Sequence, residues 1–545
     1  MRQGRRWFAK LREENHVNSL TAEGPVTLRR RARSGVLAIV TVIAFVLAGC
    51  SGGGGGGGST GSEVTIALPE EPRSLASWNA YSNDGHPVLR NIQEALINRD
   101  PETNELVPEL ALSWKQVDPT NWQFTLRQNV KFTDGSDFDA DAAATSLNYV
   151  LDPKNAFPMR TFLGPDIEAS AVDKYTLNVK TAAPDPILPT RLYFVTIPSA
   201  KQITEDLGSY ETKPVGTGPY KLESWDRGQS IVLVPNDDWW GKDAPDAGGQ
   251  ATITKATYVF RPETEVRSAM VQQGEADLAP KLSKEQCDSA PKCESTPTIE
   301  TVILRIDTKN PALSDLRVRQ AISMAFDKEQ IMNDILGGGK VVGQIVGPSA
   351  VGYADLPPYP YDPEKAKALI AEAKADGVDV TEPITVSARE GYILRANEVV
   401  QLIAERLKAI GMTGVTSETQ ETAAFEQQWT MGYPNIPPER TLLGLQQHGQ
   451  ELMDYSGSVV SYYSCEGNTS AYCDPQLEKM FASAVGTSGD ARQKALADIA
   501  KYVYDRVPVV PIGQPNFNFG LAQRLDWTPR IDGFILLKEM TLNNS

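Results

Sequence analysis

Apolar positions along this chain follow two regimes. Between residues 36 and 48 they run almost without interruption, from Val36 through Leu47 to Ala48. Beyond Glu63 they recur at helical spacing in some windows and gather into short β-branched runs in others. Val318, Ile322, Ala325, Phe326 and Ile331 predict a helix capped by Asp315 and stopped by Gly337-Gly338-Gly339. Asp362-Pro363-Glu364 supplies a capping carboxylate and a proline at the first helical position, ahead of Ala366, Leu369, Ile370 and Ala373, with Gly377 as the stop. Val400, Ile403, Leu407 and Ile410 form another apolar face that ends at Gly411, and a last pair of helices is expected over Leu477 to Val485 and Ala491 to Val503. Strands are expected over Glu63 to Leu68, Trp122 to Leu126, Ser230 to Val234, Ala256 to Phe260, Thr301 to Ile306 and Ile384 to Ser387. Such interleaving predicts an α/β protein. About 480 residues follow Glu63, too many for one core, so two or three domains are expected.

The uninterrupted run is too short to span a bilayer, which takes roughly 20 residues. Arg29-Arg30-Arg31-Ala32-Arg33 precedes it, Leu47-Ala48-Gly49-Cys50 closes it, and a Gly/Ser-rich tether from Ser51 to Ser62 follows. This is the pattern of a lipoprotein export signal. Residues 1–49 are the expected signal, and 50–62 the lipidated cysteine and its tether. Cys50 is the expected first mature residue, its thiol alkylated by diacylglycerol, since two acyl chains such as palmitate hold a protein far better than one. Met1 to Pro25 is longer and more mixed in charge than the basic end of such a signal, which makes Val26 a second candidate start. The expected location is the outer face of the cytoplasmic membrane.

Residues 1–49 hold nine Lys/Arg and three Asp/Glu, so their removal takes the net charge from −16 to −22. That argues against nucleic acid as a partner and leaves the lipid as the expected attachment to the membrane. Besides Cys50, the cysteines form two close pairs, Cys287/Cys293 and Cys465/Cys473. In an oxidising compartment two local disulfides are the simplest reading. Zinc competes poorly, because neither pair has the two-residue gap of a knuckle and only His86 and His448 lie beyond the signal.

Catalytic signatures are missing. There is no Gly-x-Ser-x-Gly and no His-Glu-x-x-His, and Gly337-Gly338-Gly339-Lys340-Val341 lacks the spacing and the Ser/Thr of a phosphate loop. No metal or cofactor is called for, and an enzyme is not expected. Binding is the remaining chemistry.

Six motifs in order carry a resemblance: Leu106-Val107-Pro108-Glu109-Leu110-Ala111-Leu112-Ser113-Trp114; Val130-Lys131-Phe132-Thr133-Asp134-Gly135 with Ala140-Asp141-Ala142; Val215-Gly216-Thr217-Gly218-Pro219-Tyr220 with Asn236-Asp237-Asp238-Trp239-Trp240-Gly241; Gly274-Glu275-Ala276-Asp277; Arg317-Val318-Arg319-Gln320-Ala321-Ile322; and Tyr361-Asp362-Pro363-Glu364-Lys365-Ala366. Along nearly its whole mature length the chain resembles the family 5, peptide/nickel-type solute-binding proteins of bacterial ABC importers. Most of these residues read as scaffold: Asp134-Gly135 as a turn, Gly216 and Gly218 as backbone geometry that other residues resist, Asp362 as a cap. Trp114, Trp122, Trp225, Trp239 and Trp240 read as core or cleft-wall aromatics.

The resemblance implies a periplasmic-binding-protein-like bilobal clamp of the class II type. Residues 63–300 plus 513–545 map to lobe I, with an extra subdomain at about 115–212, and residues 301–512 to lobe II. It implies a monomer that takes a solute, a short peptide first, between the lobes and delivers it to the permease subunits. In peptide-binding relatives an aspartate shortly before the cysteine loop fixes the ligand's ammonium, which makes Asp454 the candidate and Glu451 the reserve. The usual Asp-x-x-Asp-Pro form is absent. Arg389 and Tyr392 are candidates for a carboxylate end, because a guanidinium suits a carboxylate by its two-pronged geometry. Trp429 and Tyr455 complete the expected contacts. The Cys465 to Cys473 loop resembles a bridged loop of some peptide binders. A non-peptide solute (oligosaccharide, opine or metal chelate) stays open, favoured by the missing motif and by the insert Met431 to Arg440, as does an enzyme or signalling lipoprotein that reuses the fold.

Overall fold

The strand expected at Glu63–Leu68 forms with those bounds and lies parallel to Lys255–Phe260, with Glu63 opposite Lys255 and Leu68 opposite Phe260. In this computed structural model, residues 62–79, 85–155, 157, 164, 166–244 and 252–543 are described. The expected signal, Cys50 and nearly all of the tether lie outside them. No described helix is long and apolar enough to cross a membrane.

From Lys255–Phe260 the sheet continues antiparallel through Ser230–Pro235 to Tyr220–Asp226. On the other side Glu63–Leu68 meets Leu278–Ala279, which in turn pairs with a long strand, Val509–Leu521. That strand belongs to two halves of the molecule. Its last residues pair with Lys292–Pro297, and its first with Glu300–Ile306. Glu300–Ile306 then opens a second sheet half, through antiparallel Leu442–Gly449 to the parallel strands Ile384–Arg389 and Val415–Gln420. Two antiparallel segments, 292–306 and 509–521, therefore connect the halves.

Each half has its own core. In one, Ile66, Leu233 and Tyr258 pack with Tyr220 and Leu521. In the other, Leu304, Val386 and Leu445 are covered by the predicted helix faces: Val318 and Ile322, Ala366 and Ile370, Val400, Ile403 and Leu407. A third cluster joins the antiparallel sheet Ala111–Asp118, Asn121–Leu126, Thr176–Thr181 and Ile167–Asp173 to the helix Ala140–Leu151. Asp139 starts that helix by accepting a hydrogen bond from the Ala142 amide.

Three differences from the expected elements have clear causes. The helix capped by Asp315 runs only over Leu316–Met324. Asp327 then caps a new turn by accepting from the Gln330 amide, while the Lys328 ammonium folds back on the carbonyls of Ser323 (2.6 Å) and Tyr359 (3.2 Å). The apolar periodicity concealed this break because both pieces pack on one core. Gly216 and Gly218 are required by close approach rather than by unusual dihedrals: a Cβ would lie 2.1 Å and 2.7 Å, respectively, from the Ile92 carbonyl oxygen. The strand Val509–Leu521 was hidden by Pro511, Gly513 and Pro515, which read as strand breakers. Its register slips between Val302 and Ile303, beside Pro511, where the missing N–H is tolerated.

Cys287 and Cys293 are bridged, as are Cys465 and Cys473, with sequence separations of 6 and 8. The first ties the helix Lys284–Asp288 to the strand Lys292–Pro297, and the second closes the loop ahead of the helix Pro475–Ala484. Replacing Cys465 and Cys473 together by serine is expected to lower the unfolding free energy by about 2–3 kcal/mol, from the loop-closure entropy returned to the unfolded chain. Urea denaturation reads this directly, and an unchanged midpoint would contradict it.

Candidate functional site

Two sets of parallel strands end at one place. In the first half, Glu63–Leu68 and Lys255–Phe260 run out into Pro69-Glu70 and Pro262. In the second, Ile384–Arg389 ends in Arg389 itself, and Leu442–Gly449 delivers Gln447 and then Glu451. Ligands of open α/β sheets bind at such carboxyl ends, where loops rather than ladders fill the space. Here both ends, with Thr298 to Glu300 and Pro515 to Asn518 from the connecting segments, wall a cavity of about 720 Å³.

Both walls carry charge, and the second-half wall holds Arg389 and Glu451. The Arg389 guanidinium lies 3.6 Å over the Tyr392 ring and donates to Glu426 at 2.9 Å. Gln447 donates to Glu300. Burial pushes the Glu451 carboxyl up to about 7, and the negative charge of Glu300 adds to the rise. The opposite wall contributes Glu70, Lys281, His86 and Phe534. His86 stacks on Phe534 with ring centres 4.5 Å apart. Asp532, also at the cavity, is already held by Arg530 at 2.9 Å and by the Tyr193 hydroxyl.

Of the ligand-binding candidates read from the sequence, Arg389, Tyr392 and Glu451 come together at this cavity, and three others do not. The structure places Asp454 elsewhere. Its carboxylate receives Arg492 through two nitrogens, at 2.7 and 2.8 Å, and also caps the turn at Tyr455–Ser458 by accepting from the Ser456 amide. Both oxygens are engaged and the side chain is buried, so none of it faces the cavity. Trp429 is buried too, under the Arg305 guanidinium at 4.1 Å and against Gly444, where a Cβ would come within 2.7 Å of the ring. Tyr455 lies in the apolar cluster with Ile303, Val459 and Leu496. The insert Met431 to Arg440 is tied down by Arg440, whose guanidinium grips Asp307 at 2.5 and 3.0 Å. Trp239 and Trp240 both donate to the buried Glu94, at 3.0 and 2.8 Å, and work as scaffold.

Sequence reasoning missed Glu70, Glu300 and His86 at the cavity. A usable signal existed for Glu70, since Pro69-Glu70 follows immediately on the carboxyl end of an expected strand. Among the described residues no group of three or more His, Cys, Asp or Glu is placed to hold a metal ion.

Comparison with known proteins gives the family and the fold. The model of the bacterial extracellular solute-binding proteins, family 5 (middle), matches residues 105–437. The nickel-binding periplasmic protein of Escherichia coli is 29% identical over 477 residues, covering 83% of this chain and 88% of that protein. A probable di/tripeptide-binding protein of Pseudomonas aeruginosa is 26% identical, covering 84% and 90%. The solved ABC transporter substrate-binding protein CtaP of Listeria monocytogenes superposes with a TM-score of 0.75 at 21% identity, covering 88% of this chain and 99% of that one. The fold is the bilobal α/β clamp that the six motifs implied.

Proposed function

The chain belongs to the bacterial extracellular solute-binding proteins of family 5, and from that premise we propose that it closes two lobes around a short peptide and passes it to the permease of an ABC importer. One observation carries the reading: a cavity of about 720 Å³ is walled by both halves, with a guanidinium (Arg389) and a carboxylate (Glu451) on one wall and Glu300 on the connecting segment beside them. A peptide is a zwitterion of matching chemistry. Glu451, backed by Glu300, takes the ammonium, and Arg389, steadied on Tyr392, takes the carboxylate by charge-assisted hydrogen bonds.

The lobes are residues 63–300 with 513–545, and 301–512, hinged on the two connecting segments, with the antiparallel sheet and its helix as a subdomain of the first. A ligand that touches both walls binds the closed form better and so shifts the population toward it. Cys50 and the Gly/Ser tether hold a monomeric clamp at the outer face of the membrane, which raises its effective concentration at the permease. Capture without turnover is the role, in keeping with relatives described as binding proteins.

The experiment is thermal unfolding against a panel of di- and tripeptides. A true ligand at 100 times its Kd is expected to add about 2.7 kcal/mol of stability. The identity to a nickel-binding protein favours a second reading, a metal chelate. Stabilisation by nickel(II) with histidine, and by no peptide, would replace the first reading by the second.

A further inference from the structure

Off the first-half wall of the cleft opens a second void, of about 30 Å³. It lies between the carboxyl end of Glu63–Leu68, the first turn of the helix His86–Ile92 and the crossing strand at Phe517 and Phe519. Pro69, His86, Phe517 and Phe534 line both this void and the cleft, so the two adjoin. Leu68, Phe519 and Ile535 form a buried apolar floor. Among the described residues on its lining, the charged side chains are Glu70 and Lys281, and both are solvent-exposed. Its aromatic wall is held by stacking: His86 on Phe534 at 4.5 Å, and Phe534 on Tyr193 at 5.5 Å.

Such a void has room for roughly two water-sized groups. Apolar walls give water few partners, whereas a hydrocarbon tip that fills the space leaves water and gains dispersion contacts on every side. The branched end of an aliphatic side chain fits this size, and an indole does not. We infer that this void is a side-chain subsite of the cleft, and that the favoured ligand is a peptide bearing leucine, isoleucine, valine or methionine at one fixed position. The inference rests on the peptide reading of the cleft and adds a specificity to it.

Isothermal titration of the purified chain with tripeptides tests it. Three series place leucine, serine, aspartate or tryptophan in turn at the first, second or third position, with alanine elsewhere. At one position only, leucine is expected to bind about tenfold or more tighter than serine, with aspartate and tryptophan weaker still. Phe517→Ala, or Phe517→Leu where the alanine variant unfolds early, is expected to narrow the gap between leucine and tryptophan at that position, because it widens the mouth. Equal affinities for leucine, serine and aspartate at all three positions would overturn the subsite and leave the peptide reading standing. Failure of every tripeptide to bind would remove both.

Discussion

Asp454→Ala is expected to cost about 3–5 kcal/mol of folding stability, because it leaves the buried Arg492 guanidinium without the carboxylate it is paired with. That guanidinium also donates to the Val485 and Thr487 carbonyls, at 3.1 and 3.3 Å, which satisfies N–H groups but does not neutralise the charge. Loss of the cap on Tyr455–Ser458 adds about 1 kcal/mol. The paired change Asp454→Leu with Arg492→Met removes both charges and is expected to recover most of the loss, as apolar replacement of a buried ion pair often does. Urea unfolding of the single and double variants measures the coupling. If Asp454→Ala instead kept full stability and abolished peptide binding, Asp454 would return to the ligand site from which its geometry removes it.

The second large effect lies at Glu451. A ligand ammonium pairs with the ionised carboxylate, and in the empty cleft that carboxyl holds its proton up to about pH 7, well above its ordinary 4.5. Proton and ligand therefore compete. Affinity for a peptide with a free amino terminus is expected to fall roughly tenfold for each pH unit below about 7 and to level off above it. The empty protein runs the opposite way. A carboxyl whose folded value is raised contributes stability that is fully present below pH 4.5 and lost as pH climbs through 7. Glu451→Gln is expected to weaken binding about 30-fold or more at pH 7.5, as loss of a charge-assisted partner does, and to flatten both pH dependences. Titration calorimetry between pH 5.5 and 8 on the two proteins checks this, with an amino-acetylated peptide as the control expected to show little slope. An equal slope in the glutamine variant would assign the proton to another group.

Particular residues show why some of this was legible and some was not. Asp362-Pro363, Gly411 and the Ile384 run act within a few residues of themselves, and the elements they announce form nearly where expected: Pro363–Ala375, Ala396–Ala409 and Ile384–Arg389. Such signals are local, so a linear reading captures them. Val509–Leu521 escaped because its stability comes from four partner strands that lie far away in sequence, against the bias of its own prolines. The two candidates for the ligand's ammonium, Glu451 and Asp454, sit three residues apart and look alike on paper. Their neighbours separate them.

Local patterns along the chain define the class of molecule: an interleaved α/β chain behind a segment patterned as a lipoprotein export signal, two close cysteine pairs, no catalytic signature, and six motifs in the order of one family. Composition, periodicity and motif order suffice for that, because each depends on residues close together in the chain. Which charges are open to a ligand depends instead on how the folded chain pairs them. A carboxylate can recognise a cation only if its lone pairs are not already taken, and Asp454 gives its own to Arg492, while Glu451 and Arg389 are brought to one wall by the ends of neighbouring strands. Partnership of that kind is set by packing across the core, which no local pattern encodes.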